Sequence, residues 1–121
     1  MQETLYDIDG NPIAYLDTDD GNTIYLWNGI PVDYIEQDGA IYGFNGQHIG
    51  WYLSGYICDN KGYIVGFNRM SARKLVKLSP LKSLKHLKPL KSLRQFRHFK
   101  PILRNVYSSL YLSQFLILGA K

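Results

Sequence analysis

Four copies of one short pattern between Leu5 and Phe67 constrain the fold more than anything else in the chain. Each copy opens with an aliphatic residue followed by Tyr6, Tyr25, Tyr42 or, in the fourth copy, Cys58. A glycine stands four residues later, at 10, 29, 46 and 62. Three residues beyond it comes Ile or Val, and two further on an aromatic: Tyr15, Tyr34, Trp51 or Phe67. Apolar residues alternate with the period of two expected of a strand with one buried face. Asp9-Gly10, Asn28-Gly29 and Asn45-Gly46 are dipeptides suited to positive φ in a tight hairpin turn, with Lys61-Gly62 in the fourth copy. Each copy therefore reads as a β-hairpin, and four hairpins give eight strands.

The glycine spacing of roughly 16 to 19 residues is too short for a propeller blade of four strands and about 40 residues. It holds one hairpin per repeat. A lone hairpin is marginal in water, so the four must bury apolar faces against one another. Tyr15, Tyr34, Trp51 and Phe67, with Ile13, Val32, Ile49 and Val65 on the same face, are expected to form the common layer. Between them stand Ala14, Asp33, Gly50 and Gly66, a mostly small column suited to close backbone approach near an axis, which Asp33 breaks.

The repeated Tyr-x-x-x-Gly-x-x-Ile/Val pattern through Phe67, followed by a Leu-Lys-Pro-rich tail, resembles the small bacterial four-fold β-flower proteins, in which four hairpin petals surround a pseudo-four-fold axis. The fourth copy departs from the pattern, with Cys58 for Tyr and Asn60 for an apolar residue. The resemblance implies the fold and carries no activity with it. The expected class is mainly β: four hairpins around a pseudo-four-fold axis, then an extended polyproline II-like tail and a short C-terminal helix. The expected divisions are 1–70 for the hairpin domain, 71–104 for the tail and 105–121 for the helical segment.

Charge separates the same parts. Residues 1–67 hold ten acids and Lys61, a net of −9, whereas residues 68–121 carry +13. In the tail, Leu75, Leu78, Leu81, Leu84, Leu87, Leu90, Leu93, Phe96, Phe99 and Ile102 recur every third residue. Lys82, Lys85, Lys88, Lys91, Arg94, Arg97 and Lys100 follow them directly, and Pro80, Ser83, His86, Pro89, Ser92, Gln95, His98 and Pro101 make the third column. A period of three drifts by about 60° per step around an α-helix, and prolines at 89 and 101 oppose one. In polyproline II, with three residues per turn, each column becomes one edge. Leu75 to Ile102 would then stretch roughly 85 Å, so the tail must project or wrap. Low complexity argues for a disordered tail, and the regular leucines argue against it. The leucine edge calls for cover, from the chain's own acidic domain first, or from a sister copy, another protein or a membrane. Serines 108 and 109 are placed to cap a short helix burying Leu112, Phe115 and Leu116 and ended by Gly119.

No catalytic, cofactor-binding or metal residues are assigned. Asp7-Ile8-Asp9-Gly10-Asn11 lacks the sixth-position glycine and twelfth-position Glu of a calcium loop and reads as a turn. Asp17, Asp19 and Asp20 lie in an ordinary linker. Cys58, His48 and Asp59 offer the only thiol and base, but Cys58 fills a tyrosine column and reads as core. Met1-Gln2-Glu3-Thr4 lacks the features of a signal peptide, and a single cysteine suits a reducing cytoplasm. The leading expectation is a non-catalytic interaction or scaffold module, its partner a protein or a second copy. The alternatives are an anionic-polymer (nucleic acid) binder through Lys82, Lys85, Lys88, Lys91, Arg94, Arg97 and Lys100, or peripheral attachment to a membrane surface.

Overall fold

A computed structural model describes residues 1–120. Eight antiparallel strands follow one another around a closed barrel: β1 (Gln2–Asp7), β2 (Pro12–Asp17), β3 (Thr23–Leu26), β4 (Pro31–Ile35), β5 (Ala40–Gly43), β6 (His48–Leu53), β7 (Tyr56–Asp59) and β8 (Ile64–Asn68). Every strand pairs with its sequence neighbours, and β1 closes on β8 through Leu5–Asn68, Tyr6–Phe67 and Asp7–Gly66. No edge strand remains open to pair with another chain.

The four hairpin turns share a geometry wider than the two-residue turn expected. Gly10, Gly29, Gly46 and Gly62 have φ of 82° to 90°, while the Asp, Asn or Lys before each does not enter the left-handed region. The glycine amide donates to the carbonyl three residues back, at Asp7, Leu26, Gly43 and Asp59. This is a type I turn closed by a left-handed glycine. Side-chain carboxyls and amides complete it: Asp7 Oδ1 accepts from the amides of Asp9 and Asn11, and Asp59 Oδ1 from those of Lys61 and Tyr63. The Asp7–Asn11 loop is thus a turn held by its own backbone. The two-residue turn with both residues at positive φ occurs once, between petals, at Ser54-Gly55.

The expected common layer splits in two. In each hairpin the register shifts one residue past the turn, with Leu5 opposite Ala14 but Tyr6 opposite Pro12, and equivalently Ile24–Asp33 and Tyr25–Pro31, Ile41–Gly50 and Tyr42–His48, Ile57–Gly66 and Cys58–Ile64. Ile13, Val32, Ile49 and Val65 are the extra residues of four equivalent β-bulges, which reset the alternation. They pack with Leu5, Ile24, Ile41 and Ile57 in one core, whereas Tyr34 and Trp51 belong to a second cluster and Phe67 to a third. Period-two counting across the bulge put both sets on one face.

Helix α1 (Leu112–Ile117) supplies the centre of the first core with Leu112, Phe115 and Leu116, all buried. The small column makes room for it. A Cβ on Gly50 would strike the Phe115 ring, one on Gly66 would press on Leu112, and Gly119 lies against Gly43 and the Asp33 carboxyl. The helix begins at Leu112, with the Tyr111 amide donating to Gln114 Oε1 at 3.1 Å; the Ser108 hydroxyl instead accepts from Leu110. At the end of the barrel away from the hairpin turns, Asn68 Nδ2 donates to Glu3 at 2.9 Å and to the Tyr52 hydroxyl at 3.1 Å. Among the described residues no helix is long and apolar enough to cross a membrane.

Candidate interaction surface

The tail winds around the outside of the barrel as a strap without helix or strand. Its contacts have a period of nine. The amides of Lys77, His86, Gln95 and Arg104 donate to the carbonyls of Gly10, Gly29, Gly46 and Gly62 at 2.8–2.9 Å, one per petal. Three residues earlier, Ser83 and Ser92 donate to Trp27 and Phe44. Nine residues are three turns of polyproline II, so one column presents its amides to every petal in the same way. Two of the three prolines in this column fit between these bonds, whereas Pro101 takes the place that Ser83 and Ser92 hold in the preceding repeats. Pro80 and Pro89 stand nine apart and have no amide hydrogen to donate, and at the third such position the amide of His98 donates to His48 Nδ1 at 3.0 Å.

The petals repeat at 19, 17 and 16 residues and the strap at a constant nine, yet the two stay in step. Close approach at the turns makes this rigid. A Cβ on Gly10, Gly29, Gly46 or Gly62 would run into the carbonyl of Leu75, Leu84, Leu93 or Ile102, which lies directly over it.

The cation column lies along the aromatic outer face of the barrel. Lys82 sits over Tyr15 and Trp27, Lys85 over Tyr25, Lys91 over Tyr34, Arg94 and Arg97 over Tyr42, and Lys100 over Trp51, all 4.0–5.5 Å from the ring centroids. Beyond the rings, carboxylates at the end of β2 and in the linkers between petals receive the charge. Lys85 Nζ reaches Asp17 at 2.5 Å, Lys88 reaches Asp20 at 2.6 Å, Arg97 Nε reaches Asp38 at 2.8 Å, and Arg94 pairs with Glu36. The ion pairs have a legible electrostatic effect: bonds from Lys88 and Tyr25 hold Asp20 down at about 2, Lys85 lowers Asp17, and Arg97 lowers Asp38. Half-exposed pairs of this kind contribute up to about 1 kcal/mol each. All seven tail cations named from the sequence as anion contacts therefore touch barrel rings or carboxylates. Tyr6, Tyr25 and Tyr42, equivalent by repeat, are buried beneath the strap or its lead-in, and the Tyr42 hydroxyl donates to the Gln95 carbonyl at 2.9 Å.

With cations and amides facing the barrel, the third edge faces away. The ten residues from Leu75 to Ile102 in the apolar column are 88–98% exposed. The threefold period was readable; its outward phase was not, because that phase depends on which edge finds hydrogen-bond acceptors.

The other candidate chemistry sits apart. Cys58 is buried among Tyr34, Tyr42, Phe44 and Trp51, and burial pushes its thiol up to about 12. His48 faces the strap instead. Its Nδ1 accepts from the His98 amide and its Nε2 lies 3.0 Å from the Gly50 carbonyl, which fixes a neutral tautomer; burial, then the His98 ring, lowers it to about 4. Asp33 is fully buried, neither carboxyl oxygen has a partner, and burial raises its pKa well above the usual carboxylate range. An open cleft of about 540 Å³ lies between Ile49, Asp59, Asn60 and Tyr63 of the barrel and 106–109 of the strap's continuation. Asn60 Oδ1 is buried beside it without a partner. Among the described residues no three His, Cys, Asp or Glu side chains cluster as metal ligands would.

A closed barrel of four bulged hairpins, hooped by a tail in register with its turns and plugged by a terminal helix, defines a repeat scaffold of flower type. The chain belongs to the 4-fold beta flower protein family, whose model matches residues 3–116 and so takes in petals, strap and nearly all of the helix. No curated protein matches the chain. No solved structure matches it either.

Proposed function

We propose that the protein is a non-catalytic interaction module that presents the apolar edge of its strap to a macromolecular partner. The observation that carries this reading is the 88–98% exposure of ten regularly spaced large apolar side chains on a segment that is otherwise tied down. At 1.5–3 kcal/mol per buried side chain and about 25 cal/mol per Å², each offers on the order of 100 Å², and ten offer about 1,000 Å². Soluble monomers rarely expose a contiguous apolar patch above a few hundred Å². Scattered leucines need no explanation; a ruled line of them does.

An anionic-polymer binder has less support, since Lys85, Lys88, Arg94 and Arg97 would have to leave Asp17, Asp20, Glu36 and Asp38 to reach phosphates. Membrane attachment has the apolar edge but, for the same reason, lacks a free basic patch as its second anchoring signal.

The test is site-specific photo-crosslinking in the expressing cell, with the reactive group at Leu87 or Leu90 and, as control, at exposed Thr18 on the barrel. A discrete macromolecular adduct from the strap positions and none from position 18 is the expected result. No adduct from the strap, or the same adducts from all three positions, overturns the reading.

A further inference from the structure

We propose that the partner of the apolar edge is a second copy of the chain, the two meeting rim to rim with their strap ridges interleaved. The inference rests on the reading of the strap edge as an interaction surface and goes on to say what occupies it. Three observations select the occupant.

The first is area. About 1,000 Å² of apolar surface per copy exceeds the roughly 800 Å² per partner of a standard stable interface. A dimer that buries the ridge needs nothing else to be of ordinary size.

The second is pitch. The apolar residues recur at every third position from Leu75 to Ile102, without interruption. At 3.1 Å per residue this is a ridge with teeth about 9.3 Å apart. Two such ridges offset by half a pitch bring teeth about 4.6 Å apart, close to the 4.0–4.5 Å of apolar contact. A ridge of constant pitch is complementary to itself under a two-fold rotation, which reverses one strap relative to the other. The strap is curved as well as regular, because it passes the four turn glycines in succession around the barrel. A second copy carries the same curve as well as the same pitch.

The third is charge. The apolar column holds no ionisable group, and the adjoining Lys82, Lys85, Lys88, Lys91, Arg94 and Arg97 contact rings and carboxylates of their own barrel. Two copies can therefore approach along this edge without setting one cation row against the other. The exposed Ile117, at the C-terminal end of α1, stands near the hairpin turns, since Asn45 at a turn bonds to the carbonyls of Leu118 and Gly119.

Sedimentation velocity of the full-length protein from about 1 to about 100 µM tests the inference. The comparison is with a Leu84→Ser, Leu87→Ser, Leu90→Ser variant, whose replaced side chains are 92–96% exposed and make no core contact. The expected result is a dimer for the wild type and, at equal concentration, a monomer with native circular dichroism for the variant. A wild type that remains monomeric at the highest concentration overturns the inference, and so does a dimer unchanged by the three substitutions. Flotation with neutral phosphatidylcholine vesicles separates the remaining source of cover. A monomeric wild type that floats while the variant does not assigns the ridge to a lipid surface, overturning self-association and leaving the interaction edge standing. In the crosslinking experiment the same distinction is read from mass: an adduct of twice the chain mass supports the second copy, and an adduct of any other mass overturns it alone.

Discussion

His48, beneath the strap, and Asp33, against Gly119 inside the barrel, stand in different petals and respond to protons in opposite ways. His48 is held neutral because its Nδ1 receives the His98 amide, and burial, followed by the His98 ring, takes its pKa from 6.5 to about 4. The unfolded chain therefore binds a proton before the native one does. Stability from this residue is fully present above pH 6.5 and is lost as pH falls toward 4. Asp33 has the reverse sign: its native carboxyl keeps its proton above the ordinary range, so it disfavours the fold as pH rises past the unfolded value. An NMR titration of the imidazole separates the two contributions, and a His48 midpoint near 6.5 in the folded protein would refute the first. Asp33 was visible in the sequence as the odd member of the Ala14, Gly50, Gly66 column. What it faces was not visible, since Gly119 comes from a segment 86 positions later in the chain.

At the scale of elements, each turn glycine serves two structures at once, closing a hairpin and seating the strap. Gly46→Ala tests the second role. The left-handed conformation costs Ala roughly 1–2 kcal/mol, and the added Cβ meets the Leu93 carbonyl, so the strap must lift there. Trypsin cleavage at Arg94 and Arg97 is expected to rise at least tenfold, the equivalent of about 1.4 kcal/mol of local opening. Gly21→Ala, at φ 66° with only ordinary contacts around it, controls for backbone strain and leaves that cleavage unchanged. Equal protection in Gly46→Ala would mean that the strap is not seated by the turn. The hairpins were legible because each carries its own turn and alternation. The bulges were not, because an extra residue shows only when two strands are laid side by side. The strap's triplet was legible too, while its nine-residue register hides in sparse marks, Pro80 with Pro89 and Ser83 with Ser92.

The whole molecule is assembled from outside and inside at once, a barrel of short strands hooped by the strap and filled by α1. Its first core has no centre without Leu112, Phe115 and Leu116. A chain ending at Arg104, with strap but no plug, is expected to lose its single cooperative unfolding transition, since each missing large side chain is worth about 2–5 kcal/mol. A sharp transition in that truncated chain, followed by circular dichroism in denaturant, would show that the barrel closes unaided. The strap has a further consequence. Because it advances by nine residues for every petal, whatever each hairpin's own length, it acts as a belt cut to a given number of teeth. Hairpins can lengthen or shorten in their loops without disturbing it. A fifth petal, or a third in place of a fourth, requires nine residues of belt to be gained or lost in the same event. Petal number in this architecture is therefore recorded twice in the chain, once in the hairpins and once in the length of what binds them.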